Sequence, residues 1–193
     1  MKKNRKLLIP AGILLLIPLQ VQVFETIRMH LILMINGRFG QSIAPLSSLI
    51  LIVLIQLPLI LYCLVLHHRS PGKAFYTIGF TLLMLPHLRT LSNPLTLISL
   101  LFFASMIPLC FSQKKWLVLI AGLLLLAMTA GQLITAFPIL SMVAESYSTD
   151  FFPMLWTWII APMCFQVAYG LIWWHLGGHA LTNTAPDGTV HPA

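Results

Sequence analysis

Charge is what this chain has least of. Charged side chains make up 8% of its 193 residues, and only four are acidic. Soluble domains carry about 25%. So few charges cannot cover a water-facing surface, which excludes an ordinary soluble globular protein. What remains is 59% hydrophobic with a mean hydropathy of +0.93, so most of the surface must face lipid. A helical crossing takes about 20 apolar residues, giving room for about six or seven crossings and no separate soluble domain.

Chemistry-bearing patterns are also missing. The three cysteines, Cys63, Cys110 and Cys164, lie in or beside apolar runs without a C-x-x-C pair. That argues against a zinc site or redox disulfide and leaves them as small apolar packing residues. No G-x-S-x-G, H-E-x-x-H or glycine-rich phosphate loop occurs. Ser99, Ser105 and Thr129 have no histidine at a matching depth to act as base. No Asp, Glu, Lys or Arg falls in the middle of an apolar run, which counts against a proton- or ion-coupled pump. The expectation is a protein that is not an enzyme and has no cofactor or metal. The net charge of +7 does not indicate nucleic acid. The basic residues sit in short clusters between apolar runs, where they fix membrane orientation.

What is present is a series of apolar runs. They predict an all-α, polytopic transmembrane bundle over residues 1–176. Its six helices fall near 7–35, 49–66, 74–91, 95–111, 116–137 and 154–175, with a polar, disordered tail over 177–193. The basic start, Lys2 to Lys6, followed by an apolar run resembles a signal peptide, but Gln20-Val21-Gln22-Val23-Phe24 offers no small-x-small cleavage site. The run reads as an uncleaved first helix, kinked at Pro18 and continued by the stripe Ile27, Leu31, Met34 and Ile35. Asn36-Gly37 stops it. Gly37 to Ser48 reads as a loop, with Ser47 or Ser48 capping the next helix.

The third run, from Ala74 to Pro86, reaches only about 20 Å, so it needs Leu88 and its neighbours, a tilt or a thinned bilayer. Pro94 suits the first turn of the fourth helix. Ile139 to Pro153 reads as an acidic outer loop. Trp156 and Trp158 mark one end of the sixth helix and Trp173 and Trp174 the other, about 25 Å apart, as an aromatic belt requires. Lys2, Lys3, Arg5, Lys6, Arg69, Lys73, Lys114 and Lys115 fall on one side; Arg28, Arg38 and Arg89 fall on the other. That bias places both termini in the cytoplasm, and the short basic turns suggest a bacterial inner membrane.

Two groups of residues are candidates for a site. The first is an outer polar cluster of Glu25, Arg28, His30, Arg38, His87, Arg89, Glu145 and Asp150. These fit ordinary interfacial positions, where charged side chains snorkel cheaply. They also fit an outward-facing pocket in which arginines hold an anionic group. Glu25 and Arg28, three apart on one helix face, are expected to pair. The second group is the intramembrane amides Gln20, Gln22, Gln56, Gln132 and Gln166, each needing a partner in lipid and suited to joining helices. His30 and His87 at one level, and His67, His68 and His175 at the other, permit a b-type cytochrome. Gly177-Gly178 is expected to break the helix that would bring His175 and His179 together at a metal.

The functional expectation is an accessory, assembly or immunity-type membrane protein acting through helix and outer-loop contacts with a partner protein. The alternatives are a small transporter or lipid-handling protein with an outer anion pocket, and a b-type cytochrome.

Overall fold

The computed structural model describes residues 5–67, 69, 71–88, 91–112, 114–145 and 155–182, and no strand occurs among them. A short 3₁₀ turn, Arg5–Leu7, leads into α1, Leu8–Ile35. Helix α2, Phe39–Leu61, continues as a π turn over Tyr62–Leu66. Helices α3, Gly72–His87, and α4, Pro94–Leu109, are short at 16 residues each. Helix α5, Lys115–Glu145, has 31 residues. A π turn over Trp156–Ile160 then opens into α6, Ala161–Thr182. Among the described residues three helical segments are long and apolar enough to cross a membrane: Leu8–Ile35, Ser47–Leu66 and Lys115–Pro138.

Several boundaries differ from the sequence expectation. The loop expected over Gly37–Ser48 is three residues long, because α2 starts at Phe39. Ser47 and Ser48 are therefore inside a helix rather than capping one. The reversal is made by Asn36-Gly37-Arg38 alone. Gly37 takes a positive φ of 72°, its N–H donates to the Met34 carbonyl and the Arg38 N–H donates to the Leu33 carbonyl. That pair of bonds is a Schellman stop, and it needs no long connection. Helix α3 ends at His87, short of the expected 91. Helix α5 runs through Glu145, so 139–145 is helix; the rest of the expected acidic loop, 146–153, lies outside the described residues.

Gly177-Gly178 does not end α6. A Cβ on Gly177 would run into Val118 of α5, and Gly178 sits under the Trp174 ring. Close packing holds this pair helical, so 177–182 belongs to α6 rather than to the expected tail; 183–193 lies outside the described residues.

The helices form a closed ring in chain order, each packing on its neighbours in sequence, with α6 packing back on α1. Neighbours are antiparallel. Gly12, early in α1, lies against Cys63 and Leu64 late in α2. The Tyr62 and Tyr76 rings meet edge-on at 5.2 Å. The Tyr76 hydroxyl donates to the Met106 carbonyl at 2.6 Å.

The core sits mainly at the end of the ring that holds the start of α1. Leu8, Ala11 and Leu15 pack there with Cys63, Tyr76, Met106, Leu109, Val118 and Ile172. Phe80, Phe102, Phe103 and Tyr169 stack above them, with ring centroids 5.4 to 6.2 Å apart. Among the α1–α2 residues whose side chains are described, none beyond Leu19 is buried until Ile55.

Candidate functional site

Three helices carry their buried stripe past the aromatic layer and change its chemistry there. On α4, Met106 and Phe102–Phe103 are buried, and the same face continues to Ser99. On α5, buried Met128 continues to half-buried Gln132 and exposed Thr135, beside which Ala136 stays buried, and on α3, buried Phe80 continues to half-buried His87. These spacings of three, four or seven residues return to one face of a helix. The stripes thus turn from apolar to polar together, at the end of the ring away from the N-terminus. They enclose a cavity of about 330 Å³ lined by His87, Asn93, Thr96, Ser99, Gln132 and Thr135, with Leu95 among them.

Short helices place this vestibule. Helices α3 and α4 span about 24 Å, against about 42 Å for α1 and about 46 Å for α5. The α3–α4 turn is therefore recessed between longer helices. Asn93 starts α4 by accepting the Leu95 N–H at 3.0 Å on its side chain, with Pro94 in the first helical position, a strong N-cap arrangement. The Ser99 hydroxyl donates to the Leu95 carbonyl at 2.9 Å, and the Thr135 hydroxyl donates to the Gln132 carbonyl at 2.9 Å. The half-buried His87 ring packs on Phe103, with centroids 5.5 Å apart. Phe103 joins the vestibule floor to the aromatic layer.

Among the described residues of the outer polar cluster, only His87 lines the vestibule, and it shares the cavity with Ser99, contrary to the expectation that Ser99 has no histidine at a matching depth. Glu25 and Arg28 pair as expected, with Arg28 Nη2 2.7 Å from Glu25 Oε2, but the pair is exposed on α1 at 44% and 54%. His30 is half-buried on α1 and Arg38 is exposed in the turn; neither lines the cavity. Arg89 and Asp150 lie outside the described residues, as does the side chain of Glu145.

Of the amides, Gln132 is in the vestibule. Gln20 is exposed and Gln166 half-buried. The side-chain carbonyl oxygens of Gln22 and Gln56 are buried without a hydrogen-bond partner. The sequence reading passed over Asn93, Thr96 and Thr135. Their signal is helical register: each lies near a residue that shares a face with a buried apolar position one or two turns away.

A second cavity, about 450 Å³, is an apolar groove between α5 and α6 lined by Leu119, Gly122, Thr129 and Trp173 among others. Its exposed leucines Leu119, Leu123 and Leu126 continue the exposed apolar surface of α5. Trp173 seals its wall by donating to the Val118 carbonyl at 2.9 Å. Among the described residues no cluster of three or more His, Cys, Asp or Glu is placed to hold a metal. No family model, curated protein or solved structure matches the chain.

Proposed function

We propose that this is a non-enzymatic, multi-pass protein of a bacterial inner membrane that binds a small polar ligand in an outward-open vestibule. In this reading all six helices cross the membrane and both termini are cytoplasmic. The observation that carries it is the joint change of three helix faces from buried and apolar to part-exposed and polar. An interior stripe is free to stay apolar, and polar groups held at membrane depth are costly unless they meet a partner. The recessed α3–α4 turn leaves the polar groups open to the outer aqueous side, through a funnel of the kind irregular backbone at this depth requires.

The test is thiol labelling in a background where Cys63, Cys110 and Cys164 are alanine. Thr135→Cys is expected to react with a membrane-impermeant maleimide added outside intact cells. Ser99→Leu in the same background is expected to block the reaction by filling the cavity. Labelling only in inverted vesicles would reverse the topology, and labelling from neither side would end the vestibule reading.

A second reading, docking to a partner protein, is favoured by the α1–α2 hairpin. Helix α1 is about 12 Å longer than the hydrocarbon of a typical bilayer, yet its last turn still presents apolar side chains, with Ile35 84% exposed. Lipid tails do not reach an apolar surface at that level. The unpartnered oxygens of Gln22 and Gln56 on the same hairpin add polar groups of the kind that join membrane helices. This reading expects a stoichiometric second protein in the intact mass of the complex extracted in mild detergent, and its loss in Ile35→Glu. A wild-type protein of single-chain mass would refute it.

A further inference from the structure

Resting on the vestibule reading, we infer that the ligand presents an uncharged, hydroxyl-rich group, of the chemistry of a sugar or a cyclitol. The lining decides this by what it has already committed. A backbone carbonyl can only accept, so the hydroxyl protons of Ser99 and Thr135 are spent on the Leu95 and Gln132 carbonyls. Both side chains therefore meet a ligand as acceptors, through oxygen lone pairs.

Asn93 is committed the other way. Its carboxamide oxygen holds the Leu95 N–H, which leaves the NH₂ as the group it offers, a donor. His87 as a neutral imidazole supplies one donor and one acceptor. Among the described residues the lining contains no carboxylate, ammonium or guanidinium.

Among the described residues an anion would meet the acceptor oxygens of Ser99 and Thr135 and no fixed positive charge, with neutral donors alone to hold it. A cation would find no carboxylate to replace its hydration. An apolar ligand would strip water from all of these groups and return no hydrogen bond. A hydroxyl group donates and accepts at one atom, and a ring of hydroxyls satisfies a wall that alternates the two. A cavity of about 330 Å³ is at the small end of ligand pockets, which run from about 300 to 1,000 Å³. That size suits one sugar-sized group, whether a free solute or the headgroup of a glycolipid.

The experiment is thermal unfolding of the full chain purified in a zwitterionic, sugar-free detergent, since maltoside and glucoside detergents carry the proposed group themselves. Glucose, inositol and monomeric octyl glucoside are titrated beside inorganic phosphate and choline. A ligand that binds the folded state raises the melting temperature in a concentration-dependent way.

The expected result is a rise with at least one hydroxylated probe and none with phosphate or choline. The double variant Ser99→Ala/Thr135→Val, which loses two acceptors, should weaken that binding about tenfold. Ser99→Thr/Thr135→Ser, which keeps both oxygens, should retain it. Response to octyl glucoside alone identifies a lipid source; response to glucose or inositol identifies a solute. A rise with phosphate or choline that the double variant abolishes overturns the ligand class while the vestibule stands. No rise with any hydroxylated probe also overturns it, and the vestibule itself falls only if Thr135→Cys is unreachable as well.

Discussion

At the scale of single residues, the ends of the short helices carry the most specific bonds. Helix α4 finishes with orphan carbonyls that have no donor further along the helix. Ile107 accepts from the Cys110 N–H, and Pro108 accepts from the N–H groups of Phe111 and Ser112. Met106 accepts the Tyr76 hydroxyl from the neighbouring helix. Tyr76 is fully buried, so Tyr76→Phe leaves a carbonyl unpaired in a dry place. The expected cost is about 1–3 kcal/mol, read as a melting temperature lower by about 2–4 °C for each kcal/mol. An unchanged melting temperature would show that this bond contributes nothing.

The exposed Glu25–Arg28 pair stands in contrast, since surface pairs contribute about 0–1 kcal/mol. Residue by residue, the sequence made some of this legible. Asn36-Gly37 reads as a helix stop and Pro94 as a helix start because their backbone restrictions are local. The vestibule was only half legible. His87 and Gln132 stand out as polar residues among apolar ones, whereas Ser99 and Thr135 look like ordinary hydroxyls tied to their own helix, which is also what they are. Only the neighbouring helices turn them into a wall.

At the scale of elements, glycine sets how closely helices approach. A Cβ on Gly79 of α3 would lie 3.1 Å from the Leu59 backbone nitrogen and 3.0 Å from its Cβ. Backbone cannot swing aside as a side-chain tip can. Gly79→Ala is therefore expected to force α2 and α3 apart at a cost of about 1–3 kcal/mol. Gly170→Ala is the matched control, because its nearest neighbour, Leu125 Cδ2, would be 3.6 Å away, an ordinary contact. Thermal unfolding of the two variants should separate them; equal melting temperatures would mean that the α2–α3 approach is not limiting.

Element lengths were the least legible part of the fold. Polar residues such as Gln41, Ser42, Ser47 and Ser48 suggest a loop when the bilayer edge is taken as the helix end. A helix that leaves the hydrocarbon has no reason to stop there while its own hydrogen bonds continue. The Gly177-Gly178 pair misled for the opposite reason. Glycine is a breaker when free, and here it is pinned by Val118 and Trp174.

At the scale of the whole molecule, composition reveals the class and hides the arrangement. The bound on crossings follows from counting apolar residues, whereas the ring does not, because buried and lipid-facing sides are equally apolar. Leu15 is buried and Ile13 is 47% exposed, and nothing in their chemistry tells them apart. The ring also has a consequence for how the protein is made. Every main contact but one joins helices adjacent in the chain, so each can form as soon as the second of the pair emerges from the ribosome. The exception is α6 on α1, which unites the first helix synthesised with the last. In the membrane-spanning reading proposed above, α1 waits until then with Leu8, Ala11 and Leu15 against lipid, which is as apolar as the core they will join, so the delay exposes nothing to water. The walls of the vestibule, on α3, α4 and α5, are complete before that closure. The chamber can therefore form before the chain is complete, and the final helix acts as a clasp on a ring whose far mouth is already shaped.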